Sequence, residues 1–220
     1  MRGKIFFTLK ENKTWKTVCF FLAWIYLAFL FLDFFLPSQG RLSSYLKFFS
    51  ILLLSLSQYL LGKEGAGLWI GASFLTILTD YFLLFTSFYS LGVFFFLWVH
   101  LFRFLHRKEK RGEIFLFLSL LGIGIFFLLK KFFPSLEVLA FIYAGLLILN
   151  TLEAFKSRDK KLFVAYLLFC FCDLSVAVAN FPGSQSLGNL FRKLIWAFYL
   201  PSQVLLGDQI IKEDKYNKKE

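Results

Sequence analysis

Histidine, cysteine and acidic side chains are scarce in this 220-residue chain, which has 2 His, 3 Cys and 14 Asp plus Glu against 25 Lys plus Arg. The two histidines, His100 and His106, the second in a basic stretch, argue against a His-rich metal site. The cysteines, Cys19, Cys170 and Cys172, fall in apolar runs, and Cys170-Phe171-Cys172 has neither redox nor zinc spacing. They read as small buried apolar residues. The sequence has no P-loop, no Rossmann glycine pattern and no His-Glu-x-x-His. Gly183-Ser184-Gln185-Ser186-Leu187-Gly188 carries one residue too many for a Gly-x-Ser-x-Gly elbow, which disfavours a serine hydrolase. Neither a metal nor a cofactor is expected.

What the chain has in abundance is apolar surface. Its residues are 58% hydrophobic, with 33 Phe and a mean hydropathy of +0.67, whereas a soluble domain is about 45 to 50% apolar. A spanning helix needs about 20 mostly apolar residues. Eight such segments can be placed, at Thr17–Leu36, Tyr45–Leu61, Gly67–Ser87, Ser90–Leu105, Ile114–Leu129, Leu136–Phe155, Leu162–Asn180 and Leu190–Ile211. The first is too long for a signal h-region and has no small-x-small cleavage site after it. The expected fold is therefore all-α, a polytopic bundle of eight transmembrane helices forming one domain over residues 1–220.

Charge sets the orientation. With the N-terminus inside, the basic tail 1–16, the loops after the second, fourth and sixth spans and the charged tail 212–220 hold 18 Lys and Arg, against 5 on the opposite side. That bias predicts both termini cytoplasmic. It also accounts for the net charge of +11 without nucleic acid as a partner; the bilayer is the expected partner instead. Trp15 and Trp69, near span ends, read as interfacial anchors. A multi-pass bacterial cytoplasmic membrane protein is the simplest address for so short a chain, with the endoplasmic reticulum as the alternative.

An ionisable group in hydrocarbon costs on the order of 3 kcal/mol, so each one inside a span is a candidate for function. Asp33, Glu137, Glu153 and Asp208 lie near span ends, where interfacial solvation explains them. Asp80 and Asp173 do not, because each is embedded in its span, seven residues before the expected end, or roughly 10 Å at 1.5 Å per residue. Lys47 falls near the outer end of the second span, Tyr143 in the sixth, His100 and Arg103 in the fourth, and Tyr199 and Gln203 one turn apart in the eighth. Desolvation of two nearby carboxylates leaves a protonated acid beside an ionised base. That pair serves acid-assisted hydrolysis and proton relays alike.

These polar positions resemble the YhhN family of lysoplasmalogenase-like membrane proteins, which have eight helices. The run reads Thr79-Asp80, then Tyr89-x-x-Gly92-x-x-x-Phe96-x-x-x-His100, with Cys172-Asp173, Tyr143, the Tyr199-x-x-x-Gln203 pair and Lys47 as further counterparts. The likeness extends from about Tyr45 to Ile210. Thr79 stands where the family has Gly, Cys172 where it has Ser, Phe48 where a Pro follows the Lys, and Arg103 where a Tyr follows the His. The resemblance implies hydrolysis of the vinyl-ether bond of a membrane lysolipid, a lysoplasmalogen, to a fatty aldehyde and a glycerophospho-alcohol. Asp80 and Asp173 would be catalytic, with Lys47, His100, Arg103, Tyr143, Tyr199 and Gln203 around the substrate. The alternatives are a proton-coupled transporter, motivated by the two intramembrane aspartates, and a non-catalytic lipid-binding protein, motivated by the departures.

Overall fold

The computed structural model describes residues 2–62, 67–107, 136–180 and 185–212, with side chains for 13–62, 67–106, 139–180 and 187–211. The described elements are helices α1 (Arg2–Phe35), α2 (Gly40–Leu61), α3 (Gly67–Phe85), α4 (Tyr89–Arg107), α5 (Leu136–Lys156), α6 (Lys160–Ala179) and α7 (Gln185–Lys212), plus a 3-10 turn at Pro37–Gln39. All seven helices are long and apolar enough to cross a membrane, which makes this an integral membrane protein. The expected span Ile114–Leu129 and the side chain of Glu137 lie outside the described residues.

The helices group into two compact units. One contains α1, α2, α6 and α7, in which α6 packs on α7, α1 on α2, and α7 also touches α1 and α2. The other contains α3, α4 and α5, with α4 packed on both neighbours. Large apolar side chains such as Phe20, Phe21, Trp24, Phe31, Phe35, Phe141 and Phe155 are exposed. In water that pattern would be a liability, whereas in a bilayer it is the lipid-facing surface.

With no water to bond to, polar groups in the spans must be satisfied internally. Hydroxyls manage this by donating to the carbonyl one turn back: Ser73 to Trp69, Thr76 to Ala72, Thr79 to Leu75, Thr151 to Leu147 and Ser175 to Phe171. The start of α6 is capped by a side chain. Asp159 caps α6 by accepting from the Lys161 and Leu162 amides, and the preceding Arg158 takes φ 58° to close the turn from α5. Gly207 lets α7 approach α2, since a Cβ there would lie 2.6 Å from Gln58 Nε2 and 3.3 Å from both Leu54 and Trp15.

Several placements differ from the sequence expectation. Trp15 and Trp69 are each 3% exposed rather than interfacial. Trp15 donates to Asp208 Oδ1 at 2.8 Å, and Lys161 Nζ lies 3.3 Å from Asp208 Oδ2, so Asp208 is a buried fastener of α1, α6 and α7 and not a solvated end residue. Arg192 and Lys193, counted among the five basic residues of the opposite side, sit inside α7, which begins at Gln185 rather than at Leu190. Glu153 faces Lys156 at 4.0 Å within α5, as expected of a helix end.

Pro201 lies within α7 and has no N–H to give the carbonyl of Ala197. Tyr26 on α1 supplies the missing donor, its hydroxyl bonding Ala197 O at 2.9 Å. Removing that hydroxyl leaves a carbonyl unsatisfied among helices, at about 1 kcal/mol. Tyr26→Phe should therefore lower the unfolding midpoint of the detergent-purified protein, and should do so far less in a Pro201→Ala background. An equal effect in both backgrounds would show that the bond does not repair the proline.

Candidate functional site

In the α3–α5 unit, Asp80 is 2% exposed and belongs to a buried stripe of α3 with Trp69, Ala72, Ser73, Thr76 and Thr79. That stripe repeats every three to four residues, the spacing of one helix face. Asp80 stands five residues before Phe85, roughly 8 Å inside that helix end. The Thr79 hydroxyl bonds Leu75 O at 2.9 Å and is thereby accounted for within α3.

Facing α3, α4 buries His100 at 0% and Arg103 at 1% exposure. The His100 ring meets Tyr143 edge-on at 5.2 Å, and Phe96 touches both rings, at 6.2 and 5.8 Å. Asn150 of α5 donates to the backbone oxygens of His100 at 3.1 Å and Leu146 at 3.0 Å, which fixes the His100 turn against α5. The Arg103 guanidinium lies 5.5 Å over the Trp69 ring, a favourable cation–π geometry. Packing of Phe82 on Phe95, Gly71 on Phe102 and Trp69 on His106 sets the antiparallel register of α3 and α4. By that register Asp80 is level with about Phe95, and His100 is about a turn further along. Arg103 is level with the Trp69–Ala72 turn, more than two turns from Asp80.

In the other unit, Asp173 is half-buried on α6, six residues before Ala179. Beside it in sequence, Cys172 is buried and forms no disulfide. Phe169 packs on Tyr199 at 5.6 Å, Phe171 on Phe198 at 5.7 Å, and Gly188 against the Ala179 carbonyl. This register puts Asp173 level with the Leu194–Trp196 turn of α7. Tyr199 and Gln203 are both buried, Tyr199 meeting Trp196 at 4.9 Å and Gln203 lying a turn further from Asp173.

Lys47 is not near its helix end, because α2 starts at Gly40 and places Lys47 two turns inside. Asp33, expected at the interface, is its counterion: Nζ to Oδ2 is 2.6 Å, with the two side chains 11% and 12% exposed. Ser43 donates to the other Asp33 oxygen at 2.5 Å. Lys47 Nζ also stands 5.7 Å from the rings of both Phe29 and Trp196. Lys47, Trp196 and Tyr199 are thus one continuous set of contacts. Among the described residues no three His, Cys, Asp or Glu side chains are grouped to hold a metal.

Asp33 escaped the sequence reading because its partner sits on the next helix. The available signal was its symmetry with Ser43 about the Pro37–Gln39 turn. Breaking the pair on one side leaves a charge stranded, at about 3 kcal/mol. Lys47→Met or Asp33→Asn alone should destabilise the detergent-purified protein clearly, and the double variant should recover much of the loss. A double variant as unstable as the sum of the singles would mean that the two charges are not coupled.

No curated protein and no solved structure matches the chain. The YhhN family model matches residues 42–210, a stretch that runs from the start of α2 to the end of α7 and includes Lys47, Asp80, His100, Arg103, Tyr143, Asp173, Tyr199 and Gln203. On that extent of agreement, the chain belongs to the YhhN family.

Proposed function

We propose that this protein is a membrane-embedded hydrolase of lysoplasmalogenase type, which cleaves the vinyl-ether bond of a lysoplasmalogen to a fatty aldehyde and a glycerophospho-alcohol. The observation that carries the reading is Asp80, a carboxyl 2% exposed on a helix long and apolar enough to cross a membrane. Intramembrane ionisable groups concentrate where chemistry or transport occurs. Family membership makes ether hydrolysis the reaction to test.

In this reading one of Asp80 and Asp173 is protonated and delivers its proton to the alkenyl carbon, leaving an oxocarbenium ion at the carbon that bears the ether oxygen. The other carboxylate takes a proton from water as that water adds to the cation. The hemiacetal formed then collapses: the first carboxylate takes back its hydroxyl proton while the second, now protonated, gives its proton to the glycerol oxygen as the C–O bond breaks, which releases the aldehyde and the glycerophospho-alcohol and restores both groups. Alkyl ethers have no double bond to protonate and esters give acids, so only a vinyl ether yields aldehyde by this route. Phe and Leu surfaces hold the tail, and Tyr143, His100, Tyr199 and Gln203 are the polar groups proposed to orient the glycerol. The excess of basic residues in the tails and in alternate loops supports cytoplasmic termini, in a bacterial cytoplasmic membrane as the simplest setting.

The test is aldehyde release, followed by mass spectrometry, from lysoplasmalogen and from its ester and alkyl-ether analogues. Asp80→Asn and Asp173→Asn should each reduce release by about 1,000-fold, within the range of a lost general acid or base, while remaining monodisperse in detergent. Full activity in either variant overturns the mechanism. Uptake into proteoliposomes without chemical change would establish transport instead.

A further inference from the structure

A second polar feature lies in the α1, α2, α6, α7 unit, beside the Asp33–Lys47 pair. Asp33, Pro37, Gly40, Lys47, Arg192 and Lys193 line a cavity of about 200 Å³. It combines three cations with one carboxylate, and that carboxylate is already engaged by Lys47 and Ser43. Among the described residues Arg192 and Lys193 have no such acid: Arg192 reaches the amide oxygen of Asn189 at 3.4 Å, and Lys193 Nζ rests 5.1 Å from the Phe34 ring. The cavity therefore carries positive charge in excess. Phe34, Phe35 and Leu36, which lie between the lining residues Asp33 and Pro37 in sequence, are exposed, so apolar surface adjoins these cations.

We infer that this cavity binds a phosphate group, with Arg192 and Lys193 as its ligands and the Asp33–Lys47 pair as its floor. A guanidinium offers paired donors to phosphate oxygens and an ammonium adds a mobile point charge. Basic pockets at the ends of membrane helices are suited to lipid headgroups. A quaternary ammonium is the wrong occupant, because the aromatic faces that would hold it, Phe29 and Trp196, already carry Lys47. Along the same unit, Asp173 is level with the Leu194–Trp196 turn, next to Lys193. In a lysoplasmalogen only the glycerol backbone separates the phosphate from the ether oxygen, so a phosphate held here keeps that bond near the level of Asp173. The inference thus rests on the proposed hydrolytic reading for its consequence, though not for the binding itself.

The experiment measures binding to the full-length protein in detergent, by native mass spectrometry. Its probes are a 1-O-alkyl lysophospholipid, which lacks the cleavable double bond, the corresponding 1-O-alkylglycerol, and inorganic phosphate. R192Q/K193Q should weaken the lysophospholipid on the order of tenfold and leave the alkylglycerol unchanged, whereas R192K/K193R, which keeps both charges, should retain binding. Inorganic phosphate displacing the lysophospholipid from the wild type, but bound weakly on its own, identifies a headgroup site. Inorganic phosphate bound as tightly as the lipid identifies a free anion, and either result supports phosphate recognition. Unchanged lysophospholipid binding in R192Q/K193Q, or equal loss of both lipids, overturns the inference. Because the probe is not cleaved, an inactive protein that loses phospholipid binding on R192Q/K193Q sinks only the hydrolytic reading. An active one with unaltered binding sinks only the phosphate site.

Discussion

An ammonium two turns inside a membrane helix is stable only when a counterion shares its surroundings, and the 2.6 Å contact of Lys47 with Asp33 meets that condition. Much of the α1, α2, α6, α7 unit is arranged about it. Ser43 completes the bonding of Asp33, Phe29 and Trp196 flank the ammonium, and Trp196 in turn seats Tyr199. The ion pair thus orients aromatic residues on α1 and α7. Taking two charges out of water is itself unfavourable, so the pair is better understood as fixing geometry than as adding stability.

The same constraint, no polar atom without a partner in hydrocarbon, is met by small local devices elsewhere. Hydroxyls turn back onto their own helices, Tyr26 repairs the gap left by Pro201, and Asn150 spends its amide on the His100 backbone. Trp15 and Lys161 share Asp208. Against that background the α3–α4 pair is distinctive, since it buries a carboxyl, an imidazole and a guanidinium on neighbouring helices. Side chains that do no more than join helices are usually smaller and uncharged.

The helices were legible because an apolar run of about 20 residues with few charges is seldom anything but a membrane helix. Their ends were not. Arg41, Ser43 and Ser44 read as loop, yet the first two turns of α2 include them, and α7 likewise begins at Gln185, ahead of the expected Leu190. Polar residues in the first turns of a helix look like loop in a hydropathy profile, although the backbone is already helical. The intramembrane residues Asp80, His100, Tyr143 and Arg103 could be named from cost alone, because each is an expensive group in an apolar run. Partners could not be named, since pairing depends on register. Lys47 reaches Asp33 because side chains lean toward the helix N-terminus, back toward the turn at Pro37–Gln39. Trp15 and Trp69 were misplaced for a related reason: proximity to a span end does not reveal whether an indole faces headgroups or a neighbouring helix.

The unit that contains Asp33 and Lys47 is assembled from both ends of the chain. During synthesis, which proceeds from the N-terminus, α1 and α2 enter the bilayer before α6 and α7 exist. A lysine whose counterion lay on α7 would wait in lipid, unpaired, until the last helix emerged. With the acid on α1 and the base on α2, joined only by a short turn, the first hairpin leaves the ribosome with its charges already matched. It can be handed to the membrane as a neutral pair, and the later helices dock onto a polar centre that is complete before they arrive.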